Sequence, residues 1–528
     1  MSTKELKINP QQQEDEEIRI DIEGVMGNTP FKISGNLSKL AHALRPELNS
    51  SVYLTIETAG TSLNIEGTVK DLKKMTGLDL NFVLTGQNPD ELADMFGKSL
   101  PPIKPFTLKG NLKDSRPLYY ELSELHFAME KSEVRGSCSI DLSGKKPRIT
   151  ADFLSSYIDF RKLFSIDQNL PESVNHQNDL DTHEQNTTDN VKVFSQKPFN
   201  MAPLKAFDLN LELSAEKLFL PHVALNNCHV KTSVKGGSFS VDSLTGNIGG
   251  GRLVSSLGIE PSDQTVSVLA FLNIDQMNLE QMLQDMGLDI EGKGLIDVEL
   301  SLNSQGKSMA ELMAGLTGDA GLIMGEGRID RNYLDFLGFF KVTLFSSLMK
   351  ILNIPTGPDK SKNISDTNCF VIHFDVTEGL ANLTAMVLDT RQTTFVGSGK
   401  IDLAGEKLDI SLRPIPKEGI GREGLIRFDI SLSELTRVLY LSGTLANPNV
   451  AIDTTQTFVT LGKAIGGVVL FGPAGIAAAL LTGKIGKDSP NLCMEAIEAA
   501  REGVEIEKDK TGIFNFIGDF FKRINPLN

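Results

Sequence analysis

Period-two alternation of apolar and polar residues, repeated in run after run, most constrains what this chain can fold into. In SSVYLTIETAG (50–60), Val52, Leu54 and Ile56 share one side. In LDLNFVLTG (78–86), Leu78, Leu80, Phe82 and Leu84 share a side, opposite Asp79, Asn81, Val83 and Thr85. GLIDVELSLN sets Ile296, Val298, Leu300 and Leu302 against Asp297, Glu299 and Ser301. CFVIHFDVTEG sets Phe370, Ile372, Phe374 and Val376 against Val371, His373 and Asp375. LIRFDISLS sets Ile426, Phe428, Ile430 and Leu432 against Arg427, Asp429 and Ser431. Successive strand side chains point to opposite faces, so these runs predict half-buried antiparallel strands with one wet face.

The alternation has internal landmarks. An apolar-x-Gly-x-apolar unit recurs as ISGNL, IEGTV, LKGNL and VRGSC around Gly35, Gly67, Gly110 and Gly136, and again as LSGTL around Gly443. Its spacing is irregular, so it is a degenerate repeat rather than a fixed-period solenoid. Each glycine falls on the apolar side and marks either a sheet bend or a place where another molecule approaches the backbone. GNIGGGRLVSS (246–256) has no helix signal after it and reads as a tight turn. Two stretches are helical. NLEQMLQDMG (278–287) is short; NYLDFLGFFKVTLFSSLMKILNI (332–354) is long, with Leu334, Leu337, Phe340, Leu344, Leu348 and Ile351 along one face. Residues 165–198 are rich in Asn, Gln, Asp and Thr and read as a disordered polar loop or linker. The expected organisation is a polar segment at 1–17, a β-repeat lobe at 18–164, that linker, a second β-module at 199–460, and an end-piece at 461–528.

The chemistry points away from catalysis. Among 528 residues the formal charge is −16, which argues against a nucleic-acid binder. Seven histidines are scattered and none falls in a metal spacing. VGSGKID (396–402) lacks phosphate-loop spacing, and no nucleophile elbow is present. The four cysteines form no CxxC; free thiols and a long-range disulfide both stay open. No cofactor motif is found. We therefore expect a binding, transport or scaffolding protein rather than an enzyme.

Three stretches carry a family resemblance. IEGKGLIDVELSLNSQGKSMAELMAGLTGDAGLIMGEGRID (290–330), FDVTEGLANLTAMVLDTRQTTFVGSGKIDLAGEKLDISLRP (374–414) and LSGTLANPNVAID (441–453) resemble, in that order, the C-terminal module of the AsmA family. The stretch 123–164, ending ITADFLSSYIDFRKLF, is similar to earlier strands of that family. AsmA-like proteins are grouped with TamB-like bridge-type lipid-transfer proteins. The resemblance implies a mainly β fold: an elongated, curved antiparallel sheet forming an apolar groove, with a few short helices and a helical C-terminal tail. It implies phospholipid movement between the inner and outer membranes of a diderm bacterium. The implied partners are phospholipids, both membrane surfaces and membrane proteins at either end, with no nucleic acid. Members usually begin with an inner-membrane helix, whereas MSTKELKINP is polar. The implied location is the periplasm, associated with the inner membrane if such an anchor is missing from this chain. A second reading is an assembly factor for outer-membrane proteins acting through sheet edges.

On the first reading the groove lining is Ile296, Val298, Leu300, Leu302, Phe370, Ile372, Phe374, Phe428, Ile430 and Leu432. The helix 332–354 either packs against a sheet or plugs the groove through Leu337, Phe340, Leu344 and Leu348. AIGGVVLFGPAGIAAALLTG (464–483) is uncharged and just long enough to span a bilayer, but Gly466, Gly467, Gly472, Pro473 and Gly475 interrupt it. It reads as a segment at the groove's end, with an interfacial contact or a span as the other placements. TGIFNFIGDFFKRINPLN aligns Phe516, Ile517, Phe520 and Phe521 on one face, suited to membrane contact or to docking on the protein's own apolar edge.

Overall fold

The computed structural model describes residues 2–6, 17–26, 29–39, 49–58, 60–87, 105–161, 192–221, 223–262, 264–287, 292–330, 364–390, 393–416 and 439–452. They form two compact units, Met1–Gln185 with Asn200–Pro261, and Asn186–Phe199 with Ser262–Asn528. The chain is mainly β, as the alternation predicts.

The first unit contains β1 (Ser2–Leu6), β2 (Glu17–Met26), β3 (Thr29–Lys39), β4 (Ser50–Thr58), β5 (Thr61–Asp71), β6 (Thr76–Gly86) and β7 (Phe106–Arg116). It continues with β8 (Tyr119–Met129), β9 (Ser132–Asp141), β10 (Arg148–Asp159), a short α1 (Ala202–Lys205), β11 (Asp208–Leu220), β12 (Val223–Lys235), β13 (Ser238–Ile248) and β14 (Gly251–Pro261). Sequential strands pair antiparallel, except that β10 and β11 run parallel. A parallel pair needs a long crossover. Here the described residues 192–199, between those strands in sequence, belong to the second unit. The glycine-rich run at 246–256 is the β13–β14 hairpin, turning at Gly249 and Gly250.

The second unit contains β15 (Val266–Asn278), α2 (Leu279–Asp285), β16 (Gly292–Lys293), β17 (Leu295–Gly306), α3 (Met309–Ala314), β18 (Thr317–Met324), β19 (Gly327–Asp330) and β20 (Ile364–Thr377). Then follow β21 (Leu380–Thr390), β22 (Thr393–Asp402), β23 (Lys407–Pro416), β24 (Leu439–Thr444) and β25 (Pro448–Ile452). Hydrogen-bonded neighbours run β15-β17-β18-β20-β21-β22-β23-β24-β25, while β19 also pairs with β20 and β16 with β19. Both described helices of this unit start on side-chain caps. Asn278 accepts from the Gln281 amide at 3.1 Å and Ser308 from the Glu311 amide at 3.2 Å, each satisfying an orphan donor.

The recurring glycines have a local cause. A Cβ on Gly35, Gly67, Gly136, Gly318 or Gly399 would fall onto a carbonyl oxygen of the adjoining strand, at Tyr53, Asp79, Asp152, Ser301 and Asp409 respectively. The neighbouring backbone itself makes the close approach, which favours the bend over the outside ligand. Gly110 differs, since a Cβ there would meet the side chains of Leu125 at 2.8 Å and Phe82 at 3.2 Å. We predict that Gly67→Ala costs about 1–3 kcal/mol through forced backbone displacement. Gly144→Ala, whose Cβ would have its nearest neighbour at 3.5 Å, serves as control. Hydrogen exchange of the β4–β6 amides in urea reads the difference; equal protection in both variants would contradict it.

Candidate functional site

The register of the second unit turns separate alternating strands into continuous apolar rows. Ile274, Val298, Leu322, Ile372 and Met386 face one another across five strands. A second row reads Leu272, Leu300, Ala320, Phe374, Leu383, Gly399, Ile410 and Leu441. A third passes through Leu302, Gly318, Val376, Ala381, Ile401 and Leu408, and a fourth through Met277, Ile296, Met324, Phe370, Leu388 and Phe395. The two outer rows include well-buried members: Ile296, Met324, Val376 and Ala381. The two inner rows stay half-buried on β17, β18 and β20, at Val298, Leu300, Leu322, Ile372 and Phe374. On β21–β24 the face tightens into a cluster of Leu383, Ile410, Leu412 and Leu439, against which Ile372 and Phe374 pack.

The strand ends bordering this face are closed differently. At one end α2 buries Leu279, Met282 and Leu283 and packs over Gly292. At the other, α3 and the β20–β21, β22–β23 and β24–β25 turns are laced by backbone bonds, among them Gly379 N to Leu316 O and Leu403 N to Gly379 O, both 2.8 Å. Residues 192–199 cross this end as a strap. The Val193 and Phe194 amides donate to the buried Glu406 carboxylate at 2.6 and 3.4 Å. The Ala310 amide donates to Ser195 O at 3.1 Å, and Phe199 N to Lys307 O at 2.9 Å. Phe194 fills a cluster with Leu408 and Leu445. Residues 192–198 therefore dock, although composition places them in a polar linker.

The opposite face of β20 departs from the expected wet face. Cys369, Val371 and His373 are more deeply buried than Phe370, Ile372 and Phe374. Val371 is fully buried in a cluster with Cys369 and Val387, and the His373 ring packs over Gly321. Thr384 Oγ1 lies 2.6 Å from His373 Nδ1 and 3.2 Å from the His373 carbonyl oxygen, so it anchors both the ring and the backbone of that residue. Among the described residues Nε2 has no hydrogen-bond partner, and it sits 4.0 Å from Asp319. Burial holds His373 below its ordinary value, against the pull of Asp319 and Asp375. Burial and then neighbouring carboxylates push Glu299 up; burial pushes Asp319 up. Cys138 and Cys228 are free, and burial pushes the Cys228 thiol up to about 11; Cys369 is disulfide-bonded.

The structure thus brings Ile296, Val298, Leu300, Leu302, Phe370, Ile372 and Phe374 onto one face. Phe428, Ile430 and Leu432, the helix with Leu337, Phe340, Leu344 and Leu348, the run 464–483, and Phe516, Ile517, Phe520 and Phe521 lie outside the described residues. Leu322, Met386, Leu383, Ile410 and Phe194 also belong to the face or its closure. The alternation of LDISL marks Ile410 and Leu412; Phe194 had only its isolation in a polar run. In the first unit a depression of about 760 Å³ lies on the parallel junction, lined by Glu133, Arg135, Leu154, Ser214 and His229 among others. Glu133 in its lining is paired with Arg135 and with His126, the latter at 2.7 Å.

A model of the AsmA family matches residues 118–386, 269 of the 528 residues. The chain belongs to the AsmA family. The AsmA family protein YhjG of Escherichia coli (strain K12) is 19% identical over 439 residues, 82% of this chain. The chain spans 61% of that relative's length. No solved structure matches it significantly. The family match runs from the β7–β8 turn to β21, through the first half of the apolar rows.

Two outcomes test these contacts. Glu406→Ala should strip two amides of their acceptor, at a local cost of about 1–3 kcal/mol. Faster exchange at Val193 and Phe194 is expected; unchanged exchange would show that the carboxylate does not hold the strap. For His373, a folded value below 6.5 means stability is full above that pH and is lost as pH falls from there through the folded value. Asp319 and Glu299 act with the opposite sign, losing stability as pH rises from the ordinary carboxylate range. Protection of β18 and β20 amides should therefore fall between neutral and mildly acidic pH, and fall less in His373→Gln. An identical fall in both would assign the effect elsewhere.

Proposed function

We propose that this AsmA-family chain carries phospholipid acyl chains along the apolar rows of β15–β24. We place the activity in the periplasm of a diderm bacterium, moving lipid between inner and outer membranes. One observation carries the reading. The inner rows, with Val298, Leu300, Leu322, Ile372 and Phe374 at their centre, form an apolar strip crossing strand after strand. Among the described residues no helix lies along it, since α2 and α3 sit at the strand ends. Strands about 4.8 Å apart make the face from β15 to β24 on the order of 30 Å long. A strip of that kind is stabilised by an apolar ligand. Each methylene removed from water contributes roughly 0.8 kcal/mol, so a single lipid tail is a substantial ligand. Family membership supports the same reading, as does the smooth lining, which offers polar groups at neither Ala320 nor Leu300 to select a headgroup.

The test is native mass spectrometry with lipid extraction on gently purified protein, compared with Val298→Glu plus Ile372→Glu. These positions lie in one row, two strands apart, where an unpaired charge against acyl chains is costly. Wild type should retain phospholipid and the double variant should lose it while keeping its strand content. Full loading of the variant would remove the face as the carrier. A lipid-free, well-folded wild type would favour the assembly-factor reading.

A further inference from the structure

One rim of the first unit is chemically unlike the rest of this acidic chain. The turns joining β5 to β6, β7 to β8 and β9 to β10 all lie at the same end of the sheet. Each carries a large apolar residue in the open: Met75 is 56% exposed, Leu118 52% and Leu142 40%. Each is flanked by basic residues, in KKM (73–75), RPL (116–118) and LSGKKPR (142–148). The tips form one continuous edge. Gly77 N donates to Asp114 at 3.0 Å, Leu142 N donates to Leu118 O at 2.7 Å, and Arg116 pairs with Asp141 at 3.1 Å. Further along, Lys235 precedes the β12–β13 turn, and the stem of Lys205 lies over Gly237 in that turn.

The acids at this rim are turned inward. Asp71 accepts from the Lys73 and Lys74 amides, Asp141 from the Ser143 amide and Asp208 from the Gly236 amide, all at 3.0 Å. Lys73, Lys74 and Lys145 are exposed, and the Lys74 Nζ lies 3.7 Å from Asp71. Met75 and Leu118 hold left-handed backbone, φ 52° and 61°, where glycine or asparagine would sit with less strain. Turn geometry alone therefore does not account for apolar residues there. At the opposite rim, the tips at Gly60, Glu130–Lys131 and Gly249–Gly250 carry no exposed large apolar residue among the described residues.

We propose that this rim docks on a bilayer surface containing anionic lipids. Met75, Leu118 and Leu142 enter the headgroup boundary while Lys73, Lys74, Lys145 and Lys146 face the phosphates. Discrete apolar tips separated by lysines fit a soft, anionic surface. A protein partner would select a flatter apolar patch depleted in lysine. This docking is independent of whether the apolar rows of the second unit carry lipid.

The chain contains no tryptophan, so Leu118→Trp supplies a single fluorescent reporter. In the full chain its emission should shift to the blue on mixed phosphatidylcholine–phosphatidylglycerol vesicles and stay unshifted on pure phosphatidylcholine. Lys131→Trp, on the opposite rim, should stay unshifted on both. Converting Lys73, Lys74, Lys145 and Lys146 to Gln should weaken co-flotation about fivefold per charge removed. Lipid co-purification from the same variants should be unchanged, which separates docking from carriage. A silent Leu118→Trp, a shift at Lys131→Trp instead, or undiminished flotation of the lysine variant would each overturn the proposal.

Discussion

Cross-strand register is the constraint on which everything else here depends. Side chains alternate faces with a period of two, so a slip of one residue would move a strand's whole row-forming set to the other face. Val298 faces Ile274 and Leu322, and Leu322 faces Ile372; each pairing makes the next more costly to shift. Apolar rows emerge because the pairing keeps these positions opposite one another, with register shifts between Ile274 and Met277 and between Leu383 and Val387 bringing apolar residues back into line. The glycines help to hold that register while letting the sheet bend. Where Gly67 faces Leu80, the neighbouring Asp79 carbonyl occupies the space a Cβ would take. One strand can then approach its neighbour more closely without losing its place in the row.

Much of this was legible in the sequence, because alternation is a local signal. Ile296 through Leu302 and Phe370 through Phe374 are on the face where their spacing put them. The short helix read at 278–287 is α2, and its Asn278 cap is visible as a residue type before the apolar positions. What alternation cannot report is what covers each face. Val371 and His373 alternate with Phe370 and Ile372 as solvent-facing residues would, yet they are the more buried set. Burial there follows from contacts across the sheet, such as His373 over Gly321, which no single strand reveals. The strap is a second instance. Its composition is that of an unordered linker, and its order comes from Glu406, more than 200 positions away in sequence. One buried carboxylate and one phenylalanine outweigh the polar residues around them.

The parallel pairing of β10 with β11 was illegible for a similar reason. Ile149 and Leu209 carry the same alternation as any antiparallel neighbours, and nothing in either strand records direction. Direction is set by the connection, which leaves the first unit, contributes the strap to the second, and returns at Asn200. The same chain segment thus fixes a topological feature of one unit and closes one end of the apolar rows in the other.

Net charge is a poor guide to where such a chain is attractive to other surfaces. A formal charge of −16 describes the sum, but the acids are not evenly available. Glu299, Asp319 and Asp375 crowd one face of the second unit. Asp71, Asp141 and Asp208 spend their carboxylates on backbone amides at the first unit's rim. A carboxylate turned onto an amide still carries its charge, but it stands behind the turn, while a lysine stem reaches several ångströms beyond it. At distances short against a Debye length of about 8 Å, the nearer charge dominates the field that an approaching surface meets. An acidic protein can therefore present a basic edge wherever its turns need aspartate for their geometry and carry lysine at their tips.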